Sequence, residues 1–161
     1  MEIKEDFVFP IYISENLLRE IKKICKKFTT EVFGYLVGEV FKWKEEKYIL
    51  VEDQVFVKAG TDSRQYTTQQ IEGAAGKYQQ QFQKLRKKKK NDNLLIVGWW
   101  HSHPDFGCFL SATDVSTQDF FFPESYQVAL VVDPIREEFN FFSLDKGSDR
   151  GYKAINFAII S

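Results

Sequence analysis

Apolar positions along this chain recur with two different periods, and the alternation between them predicts the elements. Phe7 to Ile13 is apolar and β-branched and reads as a first strand. Ser14 then offers an N-cap, and Leu17, Leu18, Ile21, Ile24, Cys25 and Phe28 follow at helical spacing with lysines on the opposite face. That helix is expected to end near Thr29-Thr30. Val32 to Gly38 reads as a buried strand headed by Glu31, and Tyr48 to Val57 as a second, after the polar turn Lys44 to Lys47. Gly60-Thr61-Asp62-Ser63-Arg64 is a loop, and Thr67 and Gln70 have capping-box spacing. Ile71, Ala75, Tyr78, Phe82 and Leu85 mark one face of a long helix that runs into Arg86 to Lys90 and stops at Asn91-Asp92-Asn93. Leu94 to Trp100 predicts a strand, Asp114 opens a short helix toward Phe120, and Gln127–Asp133 and Glu138–Leu144 pair around Pro134. Gly151 to Ile160 fits either a strand or a helix.

The order β-α-β-β-α-β-α-β-β is an α/β mixture, and strands joined by short turns argue against an all-parallel sheet. With 161 residues, no internal repeat and no linker, residues 1–161 are expected to form one domain. Hydrophobic residues make up 43% and charged residues 28%, which excludes a disordered chain, and sixteen phenylalanines predict an aromatic core. A formal net charge of −1 gives the molecule no overall pull toward nucleic acid or an anionic membrane. Two cysteines without C-x-x-C spacing are too few for a disulfide scaffold, although a single bridge is compatible with them. The first residues alternate in charge with no long apolar run behind them, and no stretch approaches the ~18 apolar residues of a membrane span. The expectation is a cytoplasmic protein in a reducing compartment.

The only two histidines are His101 and His103, in Gly98-Trp99-Trp100-His101-Ser102-His103-Pro104. Residues i and i+2 of a strand face the same side, so this spacing can present two imidazoles together. Pro104, lacking an N–H, ends the ladder. Asp114 returns at the start of a helix and can add a carboxylate. Two His and one Asp suit Zn²⁺ and leave a fourth tetrahedral position open, as catalytic rather than structural zinc sites do. Hydrolysis would also need a carboxylate near the water but off the metal, and Glu31, at the head of an apolar strand, is the candidate; burial there would raise its pKa. Ser111, three residues before Asp114, could donate a hydrogen bond to a developing oxyanion. Each part has a bland alternative: packed or solvated histidines, a capping box for Ser111 and Asp114, a strand-edge carboxylate for Glu31. Jointly, both histidines at ligand spacing with matching carboxylates favour a zinc centre.

Glu31, His101-Ser102-His103-Pro104, Ser111 and Asp114 resemble the signature of the JAMM (MPN-plus) metallopeptidase family: an upstream Glu, H-[ST]-H-P, then S-x-x-D. Glu31 to Gly38 is similar to the family's E-x-x-G-x-L-x-G strand. Gly60 to Arg64, Gly98-Trp99-Trp100, Phe106 to Ser111 and Asp114 to Gln118 resemble the branch of proteasome-lid deubiquitinases and signalosome deneddylases. The resemblance covers about Phe9 to Leu144. It implies the MPN (JAB) fold, a curved mixed β-sheet flanked by helices with zinc at one end. It implies hydrolysis of the isopeptide bond after the C-terminus of a ubiquitin-like protein. It implies Zn²⁺ on His101, His103 and Asp114, Glu31 as general base and acid, and Ser111 at the oxyanion. Its partners would be a ubiquitin-like protein or its conjugates and proteins of the same pathway. Processing of another peptide or a sulfur-carrier precursor is a competing reading, as is a non-catalytic scaffold; scaffold members usually lack ligands that this chain has.

Asp105 departs from the branch, which commonly has Gly there, and brings a negative charge close to the metal. The chain stops at Ser161, short of the helices that lid and signalosome subunits use for assembly, so action alone or in a smaller pathway is expected. Cys108, in the metal loop, is expected to pack rather than to close the site as a soft fourth ligand. Arg86 to Lys90 is expected to be a solvated cluster suited to a helix C-terminus rather than a nucleic-acid site. The loop Gly60 to Tyr66 is expected to border the substrate cleft and to order over the modifier's tail, with Asp62 capping the zinc at rest.

Overall fold

The computed structural model describes residues 8–57 and 68–161. Its elements are β1 (Ile11–Ser14), α1 (Glu15–Lys26), β2 (Phe33–Trp43), β3 (Glu46–Val55), α2 (Thr68–Lys89), β4 (Leu95–Ser102), α3 (Ala112–Phe121), β5 (Val128–Asp133), β6 (Glu138–Leu144), β7 (Tyr152–Ile155) and β8 (Phe157–Ile160). Phe7, Gly60 to Tyr66 and Thr67 lie outside the described residues. The predicted first strand begins only at Ile11, because Val8 to Pro10 are described and lie outside it; the loop, its Asp62 and the Thr67 cap are not addressed by the structure.

The eight strands among the described residues form one mixed sheet in the order β7-β6-β5-β4-β2-β3-β1-β8. The pairs β1–β3, β1–β8 and β4–β5 are parallel; the other four are antiparallel. The two strands at the ends of that order are consecutive in the chain, separated only by Asn156. The sheet must therefore curl until its edges approach. Phe157 of β8 accordingly packs its ring 5.4 Å from Phe139 and 5.1 Å from Phe141, both on β6. The segment left open between strand and helix is thus two strands, with Asn156 as the point where the chain changes partners.

Alternation along the central strands sends residues to opposite sides. Trp100, Leu130 and Val132 join Leu17, Leu18, Ile21 and Cys25 of α1 in one core. Trp99, Ala129 and Val131 join Ile71, Tyr78 and Phe82 of α2 in the other. β4 and β5 are thus apolar on both faces, as strands covered on both sides must be. Each fully buried Leu or Ile contributes about 1.5–3 kcal/mol. α1 starts where predicted, with the Ser14 hydroxyl accepting the Leu17 amide at 3.1 Å. It ends at Lys26, earlier than expected, because the Lys27 amide closes a tighter turn onto the Ile24 carbonyl. β2 and β3 extend beyond the apolar run to a hairpin whose register carries Trp43 opposite Glu46.

Tyr78 fixes α2 against the start of β2. Its hydroxyl donates to the Phe33 carbonyl at 2.7 Å, and its ring stacks on Phe33 and Tyr35. The basic end of α2 is spent locally, Lys89 pairing with Asp53 at 3.0 Å and Arg86 donating to the Asp92 carbonyl at 2.6 Å. Cys25 and Cys108 are both free thiols, so no bridge joins them. No helix among the described residues is long and apolar enough to cross a membrane.

Candidate metal centre

β4 runs past Trp100, where the apolar run ends, through His101 to Ser102, the strand extension that the pairing of two imidazoles on one face requires. Its central position between β2 and β5 buries His101, which is 0% exposed, while His103, just past the strand's end, is 2% exposed at the edge of a cleft. The His101 ring stacks on Trp99 with centroids 4.2 Å apart, and His103 packs against Phe109 at 4.9 Å. α3 brings the third group. Ser111 is its N-cap, accepting the Asp114 amide on Oγ at 3.1 Å while the Asp114 carboxylate accepts the Ser111 amide at 2.9 Å. The capping box is therefore real, and it aims Asp114 inward, where it is 2% exposed.

The outcome is convergence. Asp114 Oδ2 lies 3.2 Å from His101 Nε2 and 3.0 Å from His103 Nε2. Ligand atoms held about 2.0–2.1 Å from one tetrahedral ion would be roughly 3.3 Å apart, so this spacing fits a zinc ion. Among the described residues these three form a group able to hold a metal, with donor atoms within 4.8 Å of one another. The donor set, two imidazoles and one carboxylate, is one zinc accepts.

Glu31 reaches the same place through strand register. Phe33 pairs with His101 in the antiparallel β2–β4 ladder, so a residue two earlier comes opposite His103. Ser102 pins this extension: its amide donates to the Val32 carbonyl and its hydroxyl accepts the Val32 amide, each at 2.9 Å. Glu31 Oε1 then lies 3.9 Å from His103 Nε2, beyond coordination distance but beside the donor group, with its side chain 8% exposed. Glu31, His103, Phe106, Phe109, Ser111 and Asp114 line a cleft of about 280 Å³. The Ser111 hydroxyl, having accepted one bond, keeps its proton to donate there.

Electrostatics separates the two imidazoles. Burial pushes the His101 pKa below its ordinary value, against the pull of Asp114, so the ring is held neutral as a ligand must be. Burial also depresses His103, but bonding to Asp114 and the charges of Asp114 and Glu31 outweigh it and the net shift is upward. A proton on metal-free His103 is thus favoured by the same carboxylates that would favour a cation in its place.

Several supporting residues have no motif signal. Trp99 Nε1 donates to Gln118 Oε1 at 3.3 Å, tying β4 to α3, and Gln118 Nε2 donates to the Gln127 carbonyl at 3.2 Å. Gln127 in turn donates to the Ile96 carbonyl at 2.9 Å. The available signal was a pair of glutamines flanking the aromatic run Phe120-Phe121-Phe122. Cys108 Sγ points to the Val131 carbonyl at 3.5 Å and burial pushes its thiol up to about 11, so it is not among the donor group. Asp105 has φ 64°, a conformation that favours glycine, and its carboxylate is taken by Arg136 Nε at 3.2 Å.

A family model described as JAB1/Mov34/MPN/PAD-1 ubiquitin protease matches residues 8–124. The chain is 33% identical over 135 residues to ubiquitin carboxyl-terminal hydrolase RPN11 of Saccharomyces cerevisiae, covering 83% of this chain and 41% of that protein. It is 34% identical over 141 residues to COP9 signalosome complex subunit 5 of Candida albicans, covering 83% of this chain and 22% of that protein. The chain thus spans about two fifths or less of the length of these relatives. The solution structure of protein DSY2949 from Desulfitobacterium hafniense superimposes with a TM-score of 0.67 at 16% identity, covering 93% of this chain and 92% of that one, a likeness of fold. With a family match over most of its length and the mixed, curled sheet that carries it, the chain belongs to the JAB1/Mov34/MPN/PAD-1 family.

Proposed function

We propose that this protein is a zinc-dependent isopeptidase that hydrolyses the amide bond after the C-terminus of a ubiquitin-like modifier. The observation that carries the reading is a buried three-donor group, His101, His103 and Asp114, with an uncoordinated carboxylate, Glu31, beside it in an open cleft. The name of the yeast relative, a ubiquitin carboxyl-terminal hydrolase, supports the substrate class.

His101, His103 and Asp114 would hold the zinc. The ion would supply Lewis acidity and lower the pKa of water from ~15.7 to about 7. Glu31 takes a proton from the attacking water, whose oxygen adds to the amide carbon. The Ser111 hydroxyl donates to the carbonyl oxygen as negative charge develops there. Glu31 then passes its proton to the amide nitrogen as the C–N bond breaks, releasing a carboxylic acid and an amine; the acid's proton then moves to the amine, so the products leave as a carboxylate and an ammonium. The complete donor set weighs against a non-catalytic scaffold, whose function would not require it.

The test is Glu31→Gln. The variant should retain about one zinc per chain while cleavage of ubiquitin-like fusions and conjugates is lost. Loss of zinc in that variant would make Glu31 a ligand and overturn its assigned role. Cleavage of sulfur-carrier precursors alone, across the same panel, would replace the isopeptidase reading with the processing one.

A further inference from the structure

Asp133 has no part in the chemistry above, yet its carboxylate is wholly buried at the end of β5. Four backbone amides donate to it. Oδ1 accepts from Asp105, Ile135 and Arg136, each at 3.0 Å, and Oδ2 accepts from Gly107 at 2.8 Å. Arg136 Nε stands 3.6 Å from Oδ2. Two of the four amides, those of Asp105 and Gly107, belong to the turn by which the chain leaves β4 after His103. Arg136 braces that turn from outside, its Nη2 donating to the Asp105 carbonyl at 2.9 Å.

Gly107 connects this anchor to the metal centre. Its amide is bound to Asp133 while its carbonyl oxygen lies 3.2 Å from His103 Nδ1. An imidazole nitrogen facing a carbonyl must carry the proton, which leaves the lone pair of a neutral ring on Nε2. Nε2 is the atom 3.0 Å from Asp114 Oδ2. We propose that Asp133 is a positioning residue for the metal centre: by anchoring the Asp105–Gly107 turn, it sets the Gly107 carbonyl that orients the His103 ring and directs Nε2 to the ion. The inference rests on the zinc reading of the site. A carboxylate is required because every contact is an N–H donor. An asparagine would turn its own NH₂ toward either Gly107 or the other three amides.

The test compares wild type with Asp133→Asn, both stripped of metal and folded by far-UV circular dichroism. Zn²⁺ affinity is measured by chelator competition and ligand geometry by the visible spectrum with Co²⁺. The variant should bind zinc about 10–100-fold more weakly and show a shifted Co²⁺ spectrum. Leu18→Ala, which opens the α1 core away from the site, should lower the melting temperature and leave zinc affinity unchanged. Folded Asp133→Asn with wild-type affinity and spectrum would overturn the proposal. Should that variant not fold, Gly107→Ala displaces the same carbonyl, because φ is +83° there, and it too should weaken zinc binding. Unchanged affinity in Gly107→Ala would likewise overturn it. Failure of wild type to bind either ion would remove the zinc reading itself, and the proposal with it.

Discussion

Gln118 joins the two elements that carry the donor group, and replacing it with methionine isolates what that junction contributes. Gln118 is 1% exposed and Trp99 0%, so neither bond can be replaced by water without opening the core. Methionine conserves the volume and removes both polar ends. It strands the Trp99 indole N–H, which now donates at 3.3 Å, and the Gln127 carbonyl, which now accepts at 3.2 Å. Each stranded buried group costs about 1–3 kcal/mol. The added apolar burial returns part of that, so a net loss of about 2–4 kcal/mol is expected. In a domain of this size that lowers the melting temperature by roughly 5–15 °C. Urea unfolding should show a lower midpoint at unchanged slope. A cycle with Trp99→Phe, which removes the donor, should make the double variant less destabilised than the sum of the singles by about 1 kcal/mol. A Gln118→Met change within about 0.5 kcal/mol of wild type, or strict additivity in the cycle, would refute the reasoning.

Gly98→Ala tests the β4–β5 junction. A Cβ there would stand 2.0 Å from the Val128 carbonyl at a φ of +152°, forcing apart the strands three residues before His101. A loss of about 2–5 kcal/mol is expected on thermal unfolding, and a near-native melting curve would contradict the register. Acid stability tests Asp133. Burial raises its pKa, but the four backbone amides outweigh burial and hold it below the ordinary carboxylate range. Its folded pKa is therefore lower than its unfolded one. The stabilisation is complete above the unfolded value of about 3.9 and is lost as pH falls through the folded value. Unfolding followed from pH 5 downward should be less steep in Asp133→Asn than in wild type; identical pH slopes would mean the carboxylate carries no charge-dependent stability.

The candidate site was legible because its chemistry is concentrated in rare residues at fixed spacing. Two histidines at i and i+2, with Ser111 and Asp114 on a helix start, announce themselves in the sequence, and the structure brings His103, Ser111, Asp114 and Glu31 to one cleft with His101 buried 3.2 Å from Asp114. Glu31 could be placed because an apolar strand followed it, although its register against His103 depends on a β2–β4 pairing across some seventy residues of chain that no local pattern encodes. Asp133 was hidden for a related reason. One carboxylate after five apolar residues looks like a strand end, and only the folded chain shows which four amides meet it. α1 and α2 followed their 3.6-residue period, with α1 ending early at a tight turn, whereas α3 begins at Ala112, two residues before the Asp114 start expected, because Ser111 caps it. Gly151 to Ile160 fitted two assignments because it carries no clean alternation, and its strands exist only where the curled sheet offers an edge on each side.

The most direct test of the proposed zinc centre is a calorimetric titration of the metal-free protein with Zn²⁺, repeated on His103→Ala and Asp114→Ala. Wild type should bind one ion tightly, and both variants should lose that binding. Equal zinc binding by all three proteins, or none by wild type, would contradict the account.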